Sequence, residues 1–380
     1  MNKKQSERPV ILRTCLFGIG VLIVLAGGCH QPGHPRQRVG AFFGSPAGIY
    51  YPDPENLGRH RFAPSSKEKT GMVYTCKGGF IDIGHLREAA DRTAYIQDLL
   101  SDNLHRKKTE ITFKVIEPSV YHVSLTYPPD WHCLEKKEKQ ALIEQVSIKM
   151  AQSFAHTSLV WHEILTWFGF SSLGIFPERI SAFSPEDTYS DLLGVILGGR
   201  ALQEPQYNRA MTLLLDKTLK ELEVQPAETA RRAEQEIIGK WYRGGFYFFV
   251  DMKKRNFDTG FDGRPIIPWL VPDICPDAQP HPLEAPTLNS PTIGGFQAHL
   301  KIYPVEVERF KIYRILNLDP SQPIEPEMHF PVLLMEIRQQ EELRSGSAAV
   351  EPDCCQDDAA ADCSGSVVWA GAFLPRKTIT

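Results

Sequence analysis

Three short stretches of this chain set groups capable of chemistry close together. The first is Y-T-C-K-G-G-F-I-D-I-G-H, residues 74–85, where Cys76 and two glycines lead directly into a helix start. Peptide dipoles at a helix N-terminus favour a thiolate, and Gly78 and Gly79 permit close backbone approach. Cys76 therefore reads as a nucleophile, with His85, His122, His156 or His162 eligible as its base. A plainer reading of the same residue is a disulfide to Cys133 or Cys275, or a buried thiol. The second stretch is H-T-S-L-V-W-H-E-I-L-T-W-F-G, residues 156–169. On a helix, Ser158, His162, Thr166 and Gly169 form one polar or small stripe, and His156 and Glu163 share an adjacent strip. An ionised Glu163 among Leu, Val, Ile, Trp and Phe is costly to bury, so it needs a designated partner or a shifted pKa. His162-Glu163 begins like the zinc-protease helix H-E-x-x-H, but Thr166 stands where the second histidine must be, which discounts that site.

The third stretch is S-P-E-D-T-Y-S-D-L-L-G-V-I-L-G-G, residues 184–199. Ser184 as N-cap, Pro185 at the first helical position and acids in the first turn open a helix. Asp187 and Asp191 lie one turn apart, and Gly194 and Gly198 continue their face, so both carboxylates sit beside a strip where another helix can come close. Asp187 has a role as a capping residue. Asp191 has no such role and must be exposed or paired inside, with His162 or Arg87 as partners. Together, Asp82 and His85 on one helix, His162 and Glu163 on a second, and Glu186, Asp187 and Asp191 on a third can point one His/carboxylate cluster into a single pocket. Such a cluster suits general acid/base chemistry, or a divalent metal with mixed nitrogen and oxygen ligands. The competing reading is a set of unrelated buried ion pairs and caps that fix helix packing.

The elements that must position these groups read as a single α+β domain, a helical core with antiparallel strands. Ile83, Leu86, Ala90, Ala94 and Leu100 recur at helical spacing and predict a helix from Asp82 to about Leu104. Residues 111–116 and 120–127 alternate around E-P-S as a hairpin. Residues 135–168 have a charged start and then an apolar run on all sides, as in a helix or helix pair entering the core. Helices follow from Ser184 to about Leu202, at 204–223 and at 226–241, and strands at 245–251, 297–303, 308–315 and 329–337. Between the first two of those strands lies a segment, 252–296, with eight prolines, either a functional loop or an excursion.

The 380 residues are 42% hydrophobic and 23% charged, a globular composition that excludes disordered, collagenous and coiled-coil chains. With a formal charge of −4 and no basic block in the body, nucleic acid is not an expected partner. Lys3, Lys4, Arg8 and Arg13 precede fourteen apolar residues, Cys15 to Gly28, a signal-peptide layout shorter than the roughly 20 residues a retained span requires. The following L-A-G-G-C, residues 25–29, resembles a bacterial lipobox, which implies an acylated Cys29 as the mature N-terminus and a stable membrane anchor. Cleavage after residue 28 removes four basic and one acidic side chain, taking the charge from −4 to −7. His30, rather than Asp, leaves open the outer face of the inner membrane or the outer membrane. No C-x-x-C pair is present, which argues against a structural zinc.

The organisation expected is thus a lipoprotein signal peptide (1–28), a lipidated tether and irregular segment (29–70), the α+β domain (71–342) and a largely disordered tail (343–380). The blocks Y-T-C-K-G-G-F-I-D-I-G-H-L-R-E-A-A-D, W-H-E-I-L-T-W-F-G and S-A-F-S-P-E-D-T-Y-S-D-L-L-G resemble an uncharacterised bacterial lipoprotein family known only as a domain of unknown function, over roughly residues 40–340. The resemblance implies membership and an envelope setting and carries no catalytic role. The residues themselves favour a lipid-anchored cell-envelope hydrolase with His162 and Glu163 at its centre and His85, Asp191 or Cys76 assisting. The alternative is a non-catalytic envelope lipoprotein whose cluster is structural and whose proline-rich segment binds a partner.

Overall fold

A computed structural model describes residues 35–38, 40–41, 43, 49–63, 67–171, 178–244, 250–286 and 294–348. Residues 1–28, expected as a leader, Cys29, most of the strand expected at 245–251, and Cys354, Cys355 and Cys363 lie outside the described residues. The fold is α+β, with helices and small antiparallel sheets. A hairpin of β1 (Met72–Thr75) and β2 (Gly79–Asp82) leads into α1 (Ile83–His105). A three-stranded antiparallel sheet takes the order β3 (Glu110–Phe113), β4 (Val120–Thr126), β7 (Gln297–Tyr303). The hairpin expected around E-P-S forms there, with Ile111 opposite Val123 and Val123 opposite Leu300. Alternate residues Tyr121, Val123 and Leu125 are buried with Ile143, Met150 and Phe154 of α2 (Lys136–Phe168), the main core.

Residues 135–168 form one helix, opened by a Glu135/Glu138 capping box and ended by Gly169 in the left-handed conformation. Next come α3 (Asp187–Ala201), α4 (Tyr207–Glu221) and α5 (Ala227–Ile237), then the two-residue strands β5 (Tyr242–Arg243) and β6 (Asp251–Met252). The helix expected from Ser184 begins at Asp187, Ser184 closing a turn before it. Helix α1 packs against both α2 and α3, which also touch each other. The small-residue strip works as its spacing implies: a Cβ at Gly194 would fall 2.1 Å from the Leu86 carbonyl oxygen, and one at Gly198 2.8 Å from that of Ala90. No helix among the described residues is long and apolar enough to cross a membrane.

Two expected strands are helices. Residues 308–315 fall in α6 (Arg309–Leu316), where buried Ile312 and Tyr313 and partly buried Ile315 and Leu316 fit a helical face better than alternation. Residues 329–337 fall in α7 (Pro326–Ala348), where Phe330, Leu333, Leu334 and Ile337 are buried at helical spacing. Pro331 and the short, nearly continuous apolar run conceal that period in the sequence. The chain divides within α7 into units Met1–Arg338 and Gln339–Thr380. In the second unit the described residues are helical to Ala348, inside the tail expected to be disordered from 343, and Arg344 pairs with Glu341.

Irregular chain does much of the packing. The described residues of the N-terminal segment include one 3-10 helical turn, Pro54–Asn56, and bury Arg38, Phe43, Tyr51, Leu57 and His60, so folded structure starts well before Gly71. The proline-rich segment is held by paired hydrogen bonds between Ile266 and Leu283 and by Tyr189, whose hydroxyl donates to the His281 carbonyl at 2.9 Å. A disulfide joins Cys76 to Cys275 across 199 residues and ties that segment to the β1–β2 turn.

Candidate functional site

The site is assembled where β2 becomes α1. Asp82, the last residue of β2, caps the helix: one oxygen accepts from the Gly84 and His85 amides at 2.6 and 3.4 Å, the other from the Ala41 amide at 2.5 Å. The cap fixes His85 in the first turn, its Nδ1 3.5 Å from Asp82 and 2.8 Å from Asp187 Oδ1. Asp187 opens α3, and its second oxygen accepts from the Ser184 hydroxyl at 2.7 Å. One ligand atom from each of Asp82, His85 and Asp187 lies within 4.8 Å of the others. The close approach of α3 to α1 at Gly194 makes this meeting possible.

Three further carboxyl groups surround the trio. Glu186 is 2% exposed, and among the described residues neither of its oxygens has a hydrogen-bond partner at normal distance and angle, although the Ser184 side chain is close enough to favour its charge. Asp191 is buried one turn along α3, and Glu163 comes in from α2, where its Oε2 accepts from the Phe183 amide at 2.5 Å. Burial pushes the Asp82 carboxyl up to about 6 and Asp191 to about 8. Burial and then the Asp187 charge raise Glu163 and, further still, Glu186. The His85 pKa is raised as well, which for an imidazole favours the charged form: burial disfavours its charge, but Asp82 and Asp187 outweigh burial and hold it well above its ordinary range. Five carboxyl groups thus face one imidazole, a local shortage of positive charge.

His162, beside Glu163 in sequence, joins a separate pair. Its Nδ1 lies 2.8 Å from Glu117, which is buried together with Arg92 at 3.4 Å. Burial opposes the Glu117 charge, but Arg92 and His162 overcome it and lower its pKa to about 2. Burial likewise opposes the His162 charge, and Glu117 overcomes it, up to about 9. Glu117 has no sequence signal, because an acid in an E-P-S turn reads as exposed.

The structure therefore brings His85, Glu163 and Asp191 together with Asp82, Asp187 and Glu186, and turns His162 toward Glu117. Asp187 makes no capping bond and holds His85 and Ser184 instead, and Asp191 faces the cluster rather than pairing with His162 or Arg87. Cys76 is disulfide-bonded and cannot act as a thiolate, so the nucleophile reading gives way to the crosslink. A 520 Å³ cavity beside His156 and Phe261 and a 790 Å³ cavity beside Arg59 and Tyr207 are lined by none of the cluster residues. The cluster meets solvent at His85, whose side chain is 32% exposed.

No curated protein and no solved structure matches this chain. A family model does match, over residues 50–265, a span that includes the cluster and all three sequence blocks quoted above but is shorter than the expected 40–340. The chain belongs to the family described as Protein of unknown function (DUF4056).

Proposed function

We propose that this chain is a lipid-anchored cell-envelope hydrolase whose centre is a divalent-cation site formed by Asp82, His85 and Asp187. The carrying observation is the convergence of their ligand atoms within 4.8 Å, from a strand end and two helices, next to the buried Glu186 carboxyl group. Two carboxylates and one imidazole fit Mn²⁺, Fe²⁺ or Zn²⁺ better than an all-oxygen calcium cage. A cation bound there would supply Lewis-acid polarisation and an acidified water. The chain's own residues do the rest: Ser184 and the Gly84 amide orient the two aspartates, and Glu163 and Asp191 are carboxyls placed to take up or return a proton. The envelope setting rests on the Cys15–Gly28 run and Cys29.

A non-catalytic envelope lipoprotein is the second reading. In its favour, Gly40 lies over His85, close enough that a Cβ there would come 2.1 Å from Nε2, and Ala41 bonds Asp82, so the N-terminal segment covers the trio. One experiment separates the readings. Metal analysis and calorimetric Mn²⁺ and Zn²⁺ titrations are run on wild type and on His85→Gln and Asp187→Asn, alongside hydrolysis assays with ester, amide and phosphodiester substrates. The hydrolase reading expects stoichiometric metal, lost in both variants together with activity. Metal binding equal in wild type and variants would overturn it.

A further inference from the structure

The 790 Å³ cavity is lined by Arg59, Arg61 and Arg209, with His60, Tyr207 and Asn208 between them and no Asp or Glu on its wall. All three arginines are exposed, and none has a carboxylate partner among the described residues. Their placement follows from the backbone. The Leu57, Gly58 and Arg61 carbonyls turn inward and accept from buried guanidiniums: Arg87 donates to Leu57 and Gly58 at 3.0 and 3.3 Å, and Arg38 to Arg61 at 3.1 Å. The His60 and Phe62 amides donate to Thr212 and Asn208 of α4 at 3.0 and 2.8 Å. With the backbone pinned on both sides, Arg59 and Arg61 line the cavity, where Arg209 from the first turn of α4 joins them.

The layer beneath is a charge network of its own, and its carboxylates are taken up there. Arg36, Arg38 and Arg87 share Glu68 and Asp91, and burial together with the neighbouring guanidiniums lowers the pKa of Arg36 and of Arg87 to about 10. Glu88, which accepts from the Arg38 amide at 2.7 Å, is a third carboxylate there, so the three buried guanidiniums are matched and those of Arg59, Arg61 and Arg209 are the ones without a carboxylate partner among the described residues. Unpaired arginines gathered on a concave wall are the arrangement that recognises a multidentate oxyanion. We propose that this cavity binds a phosphate group, either free phosphate or the headgroup of an anionic phospholipid beside the lipid anchor. The site stands apart from the carboxylate cluster and does not depend on its chemistry.

The test uses residues 30–380, free of the acyl anchor, since the described fold begins at residue 35. Inorganic phosphate is titrated calorimetrically, and co-sedimentation is measured with phosphatidylcholine vesicles with and without phosphatidylglycerol. Wild type is compared with the triple substitution Arg59→Gln, Arg61→Gln, Arg209→Gln and with the triple Arg→Lys control, whose melting curves should overlay because the side chains are exposed. The proposal expects phosphate binding that weakens at least about tenfold in the Gln variant, is partly kept in the Lys variant and falls with added salt. Phosphatidylglycerol-dependent sedimentation lost in the same variant identifies the headgroup as the source; phosphate binding without it identifies free phosphate. No phosphate binding by wild type, or equal binding by the Gln variant, overturns the proposal.

Discussion

Substituting Gly194 by alanine tests whether the approach of α3 to α1 builds the site. The new Cβ would fall 2.1 Å from the Leu86 backbone oxygen and 2.9 Å from the Ala89 Cβ, where 3.4 Å is ordinary contact. Backbone inside a helix cannot swing aside, so α3 must back away by about 1 Å, an overpacking cost of about 3 kcal/mol. Alanine returns about 1 kcal/mol of helix propensity, leaving a net loss of about 2 kcal/mol. Gly199→Ala in the same helix is the control. Its Cβ meets the Gln152 side chain from Cγ outward, a flexible group whose 3.4 Å bond to the Val195 carbonyl is expendable and whose displacement offsets the gain in helix propensity, so the expected change is within about 0.5 kcal/mol. Urea unfolding of the two variants with a shared m-value reads the difference directly. A 1 Å retreat also separates His85 from Asp187, and Mn²⁺ affinity should fall at least about tenfold in Gly194→Ala alone. Equal stability of the two variants, or unchanged Mn²⁺ affinity in Gly194→Ala, would refute this account of how the site is held.

Removing the Cys76–Cys275 bond with Cys76→Ser and Cys275→Ser should cost about 3–5 kcal/mol, read by thermal or urea unfolding, because the bond closes a very long loop in the unfolded chain. Glu117→Gln removes the buried partner of Arg92 and His162 and should cost about 3–5 kcal/mol in the same assay, whereas an exposed pair such as Lys220–Asp216 should cost under about 1 kcal/mol when broken. His156 donates to the Thr259 carbonyl at 2.8 Å and is held neutral by burial, with its pKa down at about 4. The unfolded chain takes up that proton first, so stability should fall from about pH 6.5 to about pH 4, by about 3 kcal/mol, and the wild-type minus His156→Gln difference in unfolding free energy should show this slope and be flat above pH 7.

The long elements are legible because their signals are redundant. Helix α1 shows apolar spacing and a capping aspartate, α2 a charged entry and an apolar interior, and the β3–β4 hairpin strict alternation about a proline turn. The start of α1 is legible for the same reason, since the Asp82 cap announces it, and the start of α3 is legible to within three residues. The functions of individual acids are not. Asp187 has a sufficient local explanation as a cap, and only tertiary placement shows that its outer oxygen belongs to His85. Glu117 sits in a turn, and its burial depends on Arg92 and His162 arriving from two helices. Cys76 has two sound readings at one position, and the choice falls to a cysteine 199 residues away.

Helix α1 explains why the irregular N-terminal segment packs so closely. It is enclosed, yet it carries polar residues on several strips: Asp82 and His85 toward α3, Arg87 and Asp91 toward Glu68 and His60, and Glu88 and Arg92 toward the Arg38 amide and Glu117. Buried charges must be paired to be tolerated, and no single amphipathic neighbour could pair three strips at once. The chain meets the requirement with segments that have no hydrophobic period of their own, because their job is to deliver Arg38, His60 and Glu68 to fixed points on α1. The same backbone that delivers those groups inward carries Arg59 and Arg61 on the cavity wall and lays Gly40 and Ala41 over His85 and Asp82. Both candidate sites are therefore consequences of one arrangement, a charged helix buried against a strap that must pair it.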